Sequence, residues 1–111
     1  MDSTLQALAD PRRRAIVELL QQRERPVREL VEALPIAQSG VSRHLRILRE
    51  AGLVRSRAQG QQRIYELRPE PFDELAGWLQ RVRERWNERL DNLERELKRR
   101  QQASNSREDD K

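Results

Sequence analysis

A chain of 111 residues has room for one domain. With 38% charged and 35% hydrophobic residues it can build only a thin core, so help from a second subunit is expected. The lack of cysteine excludes disulfides, thiolate metal sites and thiol redox sensing, and the formal charge of +4 is concentrated in residues 37–68, where seven arginines face two glutamates.

The N-terminal residues lack the cationic-then-apolar order of a secretion signal, and no apolar run is long enough for a transmembrane helix. A cytoplasmic protein without a membrane partner is therefore expected. Ser3 or Thr4 can cap a short first helix carrying Leu5 and Leu8. Asp10-Pro11 is a strong helix start, an Asp N-cap followed by Pro at the first helical position. The helix it opens runs to about Gln22 with Ala15, Ile16, Leu19 and Leu20 as its apolar stripe. Arg25-Pro26 breaks the chain. A third helix then places Val27, Leu30, Val31 and Leu34 on one face and ends at Pro35.

The next helix starts near Gln38 and stops at Gly52, placed as the left-handed residue just past a helix end. Val41, Leu45 and Leu48 form its inward face. Only Pro35-Ile36-Ala37 separate it from the helix before, the arrangement of a helix-turn-helix. Beyond Gly52 the period changes: Leu53–Ala58 and Gln62–Leu67 read as two strands joined at Gln59-Gly60-Gln61. This hairpin, with arginines at its ends, is a wing. Pro69 and Pro71 mark a boundary, and one long helix fits from Phe72 to about Arg100. Its apolar residues Phe72, Leu75, Leu79, Val82, Trp86, Leu90, Leu93 and Leu97 recur at steps of 3 and 4, with Trp78 flanking them. The expected organisation is a winged helix-turn-helix over 1–68, a dimerisation helix over 69–100 and a disordered polar tail over 101–111. The fold class is mainly α with a small β-hairpin.

The helix from Gln38 presents Gln38, Ser39, Ser42, Arg43, Arg46 and Arg49 opposite its apolar face. An α-helix fits the major groove, where Gln suits adenine and Arg suits guanine. Arg46 and Arg49, further along, suit phosphates, which position a protein without specifying sequence. Short residues at Ser39, Gly40 and Ser42 let the backbone come close. A blander role for Ser39 is to cap the helix. His44, the single histidine, cannot assemble a transition-metal site alone and suits a hydrogen bond to a neighbour or a phosphate. Along the wing, Arg55, Arg57, Gln61, Gln62 and Arg63 suit the DNA backbone or a minor groove.

Val41-Ser42-Arg43-His44-Leu45-Arg46-Ile47-Leu48-Arg49-Glu50-Ala51-Gly52-Leu53-Val54 closely resembles the recognition helix and first wing strand of ArsR-type winged helix regulators. Leu5 to Ile16, Glu29 to Leu34, and Gly60 with Tyr65-Glu66-Leu67 resemble other parts of that family. The resemblance covers residues 4–68 closely and the last helix more loosely. It implies a dimeric repressor on an imperfect palindrome overlapping its own promoter, paired through the first and last helices. By position, Gln38, Ser39, Ser42, Arg43 and Arg46 take the DNA-reading role, and Arg57, Gln61 and Arg63 the wing role. Metal-sensing members carry cysteines in the first helix of the motif or clusters of His, Asp and Glu in the last. Glu29 to Leu34 has no Cys and residues 72–100 have no His, so the chain resembles the metal-independent branch, with no cofactor implied.

A helix over residues 72–100 is roughly 43 Å long at ~1.5 Å per residue, against a radius of gyration of about 11 Å for the 68-residue body. Much of its stripe lacks an intrachain partner, so Leu5, Leu8, Leu75, Leu79, Val82, Trp86, Leu90 and Leu93 are expected at a two-fold interface. The expected partners are double-stranded DNA and a second copy, with any effector left open. Two other functions compete: a winged helix that binds protein, and an antitoxin-like DNA binder controlled by a partner. An enzyme is excluded because one His, no Cys and no paired carboxylates leave no acid–base or nucleophilic constellation.

Overall fold

The computed structural model describes residues 1–109, with side chains through Ser106. Eight elements follow in order: α1 (Asp2–Leu8), α2 (Pro11–Gln22), β1 (Arg25–Pro26), α3 (Val27–Ala33), α4 (Gln38–Glu50), β2 (Val54–Gln59), β3 (Gln62–Leu67) and α5 (Pro69–Asp109). The chain divides into two compact units, Met1–Leu75 and the residues from Ala76 onward. Among the described residues no helix is long and apolar enough to cross a membrane.

The core of the first unit is Ile16 and Leu20 from α2, Leu30 from α3, and Val41, Leu45 and Leu48 from α4, closed by Leu53, Val54 and Tyr65. Asp10 caps α2 as its sequence requires: the Arg12 amide donates to Asp10 Oδ1 at 2.7 Å, and this bond holds the Asp10 carboxyl below its usual value of 3.8. The end of α4 is set by Gly52 at φ +80°, with the Gly52 amide donating to the Arg49 carbonyl and the Leu53 amide to the Leu48 carbonyl. These two bonds are the Schellman closure. They also occupy the Leu53 amide, which is why β2 begins at Val54 rather than at Leu53.

Strands β2 and β3 pair antiparallel from Val54↔Leu67 to Gln59↔Gln62. The turn is therefore the two residues Gly60-Gln61, one shorter than expected, with Gly60 at φ +63° in the first position, as a II′ turn takes it. The sheet has a third strand that sequence reasoning treated as a break. Arg25 and Pro26 pair with Tyr65 and Ile64, giving the order β1-β3-β2. Proline is tolerated there because β1 is an edge strand, where a missing N–H need not leave the ladder short.

Three further expectations are corrected. Helix α1 starts at Asp2 with Met1 as its N-cap and no side-chain cap, so neither Ser3 nor Thr4 caps it; Thr4 and Ala7 are the buried residues while Leu5 is 43% exposed. Helix α5 begins at Pro69, because the first helical amides have no intrahelical partner and two prolines there remove nothing. It continues to Asp109, so residues 101–109, expected as a patternless tail, are helical; Asp110 and Lys111 lie outside the described residues. Gln101, Gln102 and Ala103 favour helix, and neither Pro nor Gly interrupts.

Candidate nucleic-acid interface

The turn Leu34-Pro35-Ile36-Ala37 delivers α4 so that its two faces separate cleanly. Val41, Leu45 and Leu48 are all 1% exposed or less, and Gln38, Ser39, Ser42, Arg43, Arg46 and Arg49 are exposed. The N-cap is Ala37, with no side-chain cap, so Ser39 is not consumed by capping. Between α4 and β3 runs a groove of about 580 Å³ lined by Ser39, Ser42, Arg43, Arg46, Arg49 and Tyr65. Among the described residues none of the three guanidinium groups has an ion-pair or hydrogen-bond partner. The groove thus gathers three unpaired cations, two hydroxyls and a phenol, a set of donors that matches phosphate and base-edge acceptors.

Gly40 also has a packing task within the chain. A Cβ there would lie 2.8 Å from Ile36 Cγ2, so the missing side chain lets the turn pack against the first turn of α4. Tyr65 belongs to the core, 9% exposed, and yet walls the groove. Nothing in the local alternation of β3 signals this double position.

On the wing the arginines are less free than those on α4. Arg57 donates through both terminal nitrogens to the Glu24 carboxylate at 2.6 and 2.7 Å and lies 3.9 Å from Glu66, which also accepts from Arg55 at 2.7 Å. The Arg57 bond holds the Glu24 carboxyl below, and the Arg57 guanidinium above, their ordinary values. Arg63 donates to Ser56 Oγ at 2.9 Å, and Gln61 is exposed at the turn. Glu24, the residue that secures the wing, was not singled out in the sequence. It lies 33 residues from Arg57, beyond any local pattern.

On the inward side of α4, His44 is buried, with 3% of its surface exposed. Its Nδ1 is 3.5 Å from Arg13 Nη1, and its Nε2 is enclosed without a partner. Burial pushes the imidazole below its usual 6.5; Asp10 pulls the other way, and Arg13, Arg43 and Arg12 add to the depression. Arg13 donates to the carbonyls of Ala7 (2.6 Å) and Gln6 (3.3 Å), and Arg14 to those of Leu8 (2.7 Å) and Ala9 (3.1 Å). The two arginines therefore close the C-terminal end of α1, which has no basic residue of its own in its last turn.

Of the residues expected at a dimer interface, Leu8 packs partly against the chain's own core and Leu75 is half-buried. Leu79, Val82, Trp86, Leu90 and Leu93 in the second unit are 46–57% exposed, as is Leu97. The Arg89 guanidinium lies 5.8 Å from the Trp86 ring centre, within cation–π range. Among the described residues no three His, Cys, Asp or Glu side chains converge to hold a metal ion.

A sequence profile for bacterial regulatory proteins of the arsR family matches residues 10–56. The chain is 47% identical over 68 residues to the HTH-type transcriptional regulator Rv2034 of Mycobacterium tuberculosis, an alignment covering 61% of this chain and 64% of that protein. It is 48% identical over 63 residues to the repressor SmtB of the same organism, covering 57% of this chain and 47% of that one. With the regulator YuzN of Bacillus subtilis it shares 32% identity over 71% of its own length and 95% of the relative's. The matched segment thus spans between about half and two thirds of the two mycobacterial relatives. Among solved structures, an ArsR family transcriptional regulator superposes with a TM-score of 0.71 at 32% identity, over 78% of this chain and 94% of that one. An ArsR-like regulator from Rhodococcus sp. RHA1 does so with 0.73 at 26% identity, over 85% and 86%.

Proposed function

The chain belongs to the ArsR family of bacterial regulatory proteins, and from that premise we propose that it is a sequence-specific DNA-binding transcriptional regulator, a homodimer that represses its own promoter from an imperfect palindrome. It acts in the cytoplasm, where the DNA is, and performs no catalysis. The observation that carries this reading is the exposed face of α4. Among the described residues Arg43, Arg46 and Arg49 stand unpaired beside Ser39 and Ser42, on a helix whose other face is anchored in the core.

In this reading Gln38, Ser39, Ser42 and Arg43, near the start of α4, meet base edges in the major groove, while Arg46 and Arg49 meet the backbone. Gln61 and Arg63 reach the flanking DNA from the wing. The second copy pairs through Leu79, Val82, Trp86, Leu90 and Leu93, whose exposure in the single chain leaves an apolar stripe without a partner. In the same reading Leu5 and Leu75 also contribute to the pairing of the two copies. A two-fold dimer would present its α4 helices about 34 Å apart, one turn of B-DNA.

Fluorescence anisotropy against the DNA upstream of its own reading frame and a scrambled duplex, across a salt series, tests the proposal. Preference for the upstream duplex, with affinity falling steeply as salt rises, is expected. Equal affinity for both duplexes overturns sequence specificity. Absence of binding at low salt overturns DNA recognition altogether and favours a protein-binding winged helix.

A further inference from the structure

A second hollow, of about 570 Å³, opens within the first unit between α2, the end of β3 and the first turn of α5. It contains no residue assigned above to DNA or to a second chain. Its floor is apolar, made by Val17, Leu20, Leu67 and Phe72, and its rim carries the carboxylates of Glu24, Glu66 and Asp73 with no lysine or arginine among the lining residues. The volume falls in the range of small-molecule sites, which combine an apolar lining with a few placed polar groups.

The chemistry of the rim narrows the ligand. Glu24 and Glu66 are already paired with Arg57 and Arg55, so Asp73 carries the uncompensated charge of the rim, and it repels an anion. The three carboxylates do not converge as metal ligands do, and no metal grouping occurs among the described residues. Glu24 and Glu66 hold Arg57 from the wing side, whereas Asp73 makes no ion pair among the described residues. A positive charge beside Asp73 and an apolar body over Phe72 and Val17 satisfy both halves of the hollow. We infer that it is an effector site for an apolar organic cation, and that its occupant competes with Arg57 for Glu24 and so couples to the wing. The coupling rests on the regulatory reading above; the binding does not.

The test is calorimetry on the full chain without DNA, using tetraphenylphosphonium and tetraphenylborate, two ions of nearly the same shape and opposite charge. The phosphonium is expected to bind saturably, one per chain, and the borate not to bind. Asp73→Asn, at an exposed position that leaves the fold alone, should weaken phosphonium binding about tenfold, the loss of one charge contact worth about 1.4 kcal/mol. Val17→Trp, with its helicity checked by circular dichroism, should abolish binding by filling the floor. Equal binding of the two ions, or unchanged affinity in Asp73→Asn, overturns the site. Affinity that falls as protein concentration rises through dimerisation also overturns it, assigning the hollow to the second chain. Operator affinity is measured separately, with and without saturating phosphonium. No operator binding in either condition defeats the regulatory reading and leaves the site standing, whereas operator binding that phosphonium leaves unchanged overturns the coupling alone.

Discussion

Ile36 Cγ2 stands 2.8 Å from the place a Cβ would occupy on Gly40, closer than two carbons can pack. The methyl sits on a β-branched carbon and cannot swing away by a late rotamer change. Gly40→Ala therefore sets two effects against each other. Helix propensity favours alanine by about 1 kcal/mol, while overpacking costs about 1–3 kcal/mol. The clash should win, lowering the melting temperature by several degrees at roughly 4–8 °C per kcal/mol. Ile36→Ala in the same chain should restore it. A single variant more stable than wild type shows that the turn does not need glycine.

Glu24 and Arg57 should separate the wing from the recognition helix in DNA binding. Arg57 is already neutralised by a two-pronged pair, so Arg57→Ala should leave the slope of log affinity against log salt almost unchanged. Glu24→Gln frees the guanidinium for a phosphate, and the slope should steepen by about 0.9 for each wing that engages. Arg43→Ala should act differently. The dimer persists, but the preference for upstream over scrambled DNA collapses, since one bidentate base contact carries about 1–3 kcal/mol of discrimination. Retained preference in that variant sinks the base-reading role of Arg43.

What was legible in the sequence, and what was not, follows the range of the signals. Asp10-Pro11 and Gly52 specify α2 and the end of α4 because a cap is a local hydrogen bond made by a residue type that suits it. The inward Val41, Leu45 and Leu48 are read from helical spacing alone. Strand β1 is two residues long and has no period to detect, and it exists only because β3, some forty positions on, offers Tyr65 and Ile64 as partners. Helix α1 is too short for its stripe to be unambiguous: leucine marks the apolar residue, but Thr4 and Ala7, being small, are the ones that pack. Arg57 reads as a free cation until Glu24 is brought beside it, which is tertiary information.

His44 predicts a pH response. Its folded-state affinity for protons is below the ordinary 6.5, chiefly through burial. The unfolded chain thus takes up a proton that the folded one resists, and stability should fall as the pH drops below 6.5. Asp10 contributes in a separate window. Its carboxyl is depressed in the folded state, so its stabilisation is complete above 3.8 and disappears only as the pH falls through its lower folded value. Urea unfolding at neutral pH and at about pH 5.5 reads mainly the histidine, because Asp10 and Glu24, both held below their usual 3.8 and 4.5, stay ionised over that interval. His44→Gln should flatten the response there, and an equal loss of stability in that variant would assign the effect to other groups.

Trp86 tests whether the exposed stripe of α5 is the seam between two copies. The ring is 57% exposed, with Leu90 and Leu93 at 47% and 53% beyond it. Burying a half-exposed tryptophan contributes about 3 kcal/mol at ~25 cal/mol per Å², and two-fold symmetry counts it twice. Trp86→Asp removes that contribution and places a charge in an apolar seam on each chain. Sedimentation should find the wild type dimeric and the variant monomeric, while Glu88→Ala, two residues on and off the stripe, should stay dimeric. The variant should retain the melting transition of the winged unit, whose core does not include this residue. Its operator affinity should fall nonetheless, because two half-sites held by one dimer benefit from effective concentration and two monomers do not. A variant that remains dimeric would move the interface off this face, and a monomeric wild type would leave the stripe to some other partner.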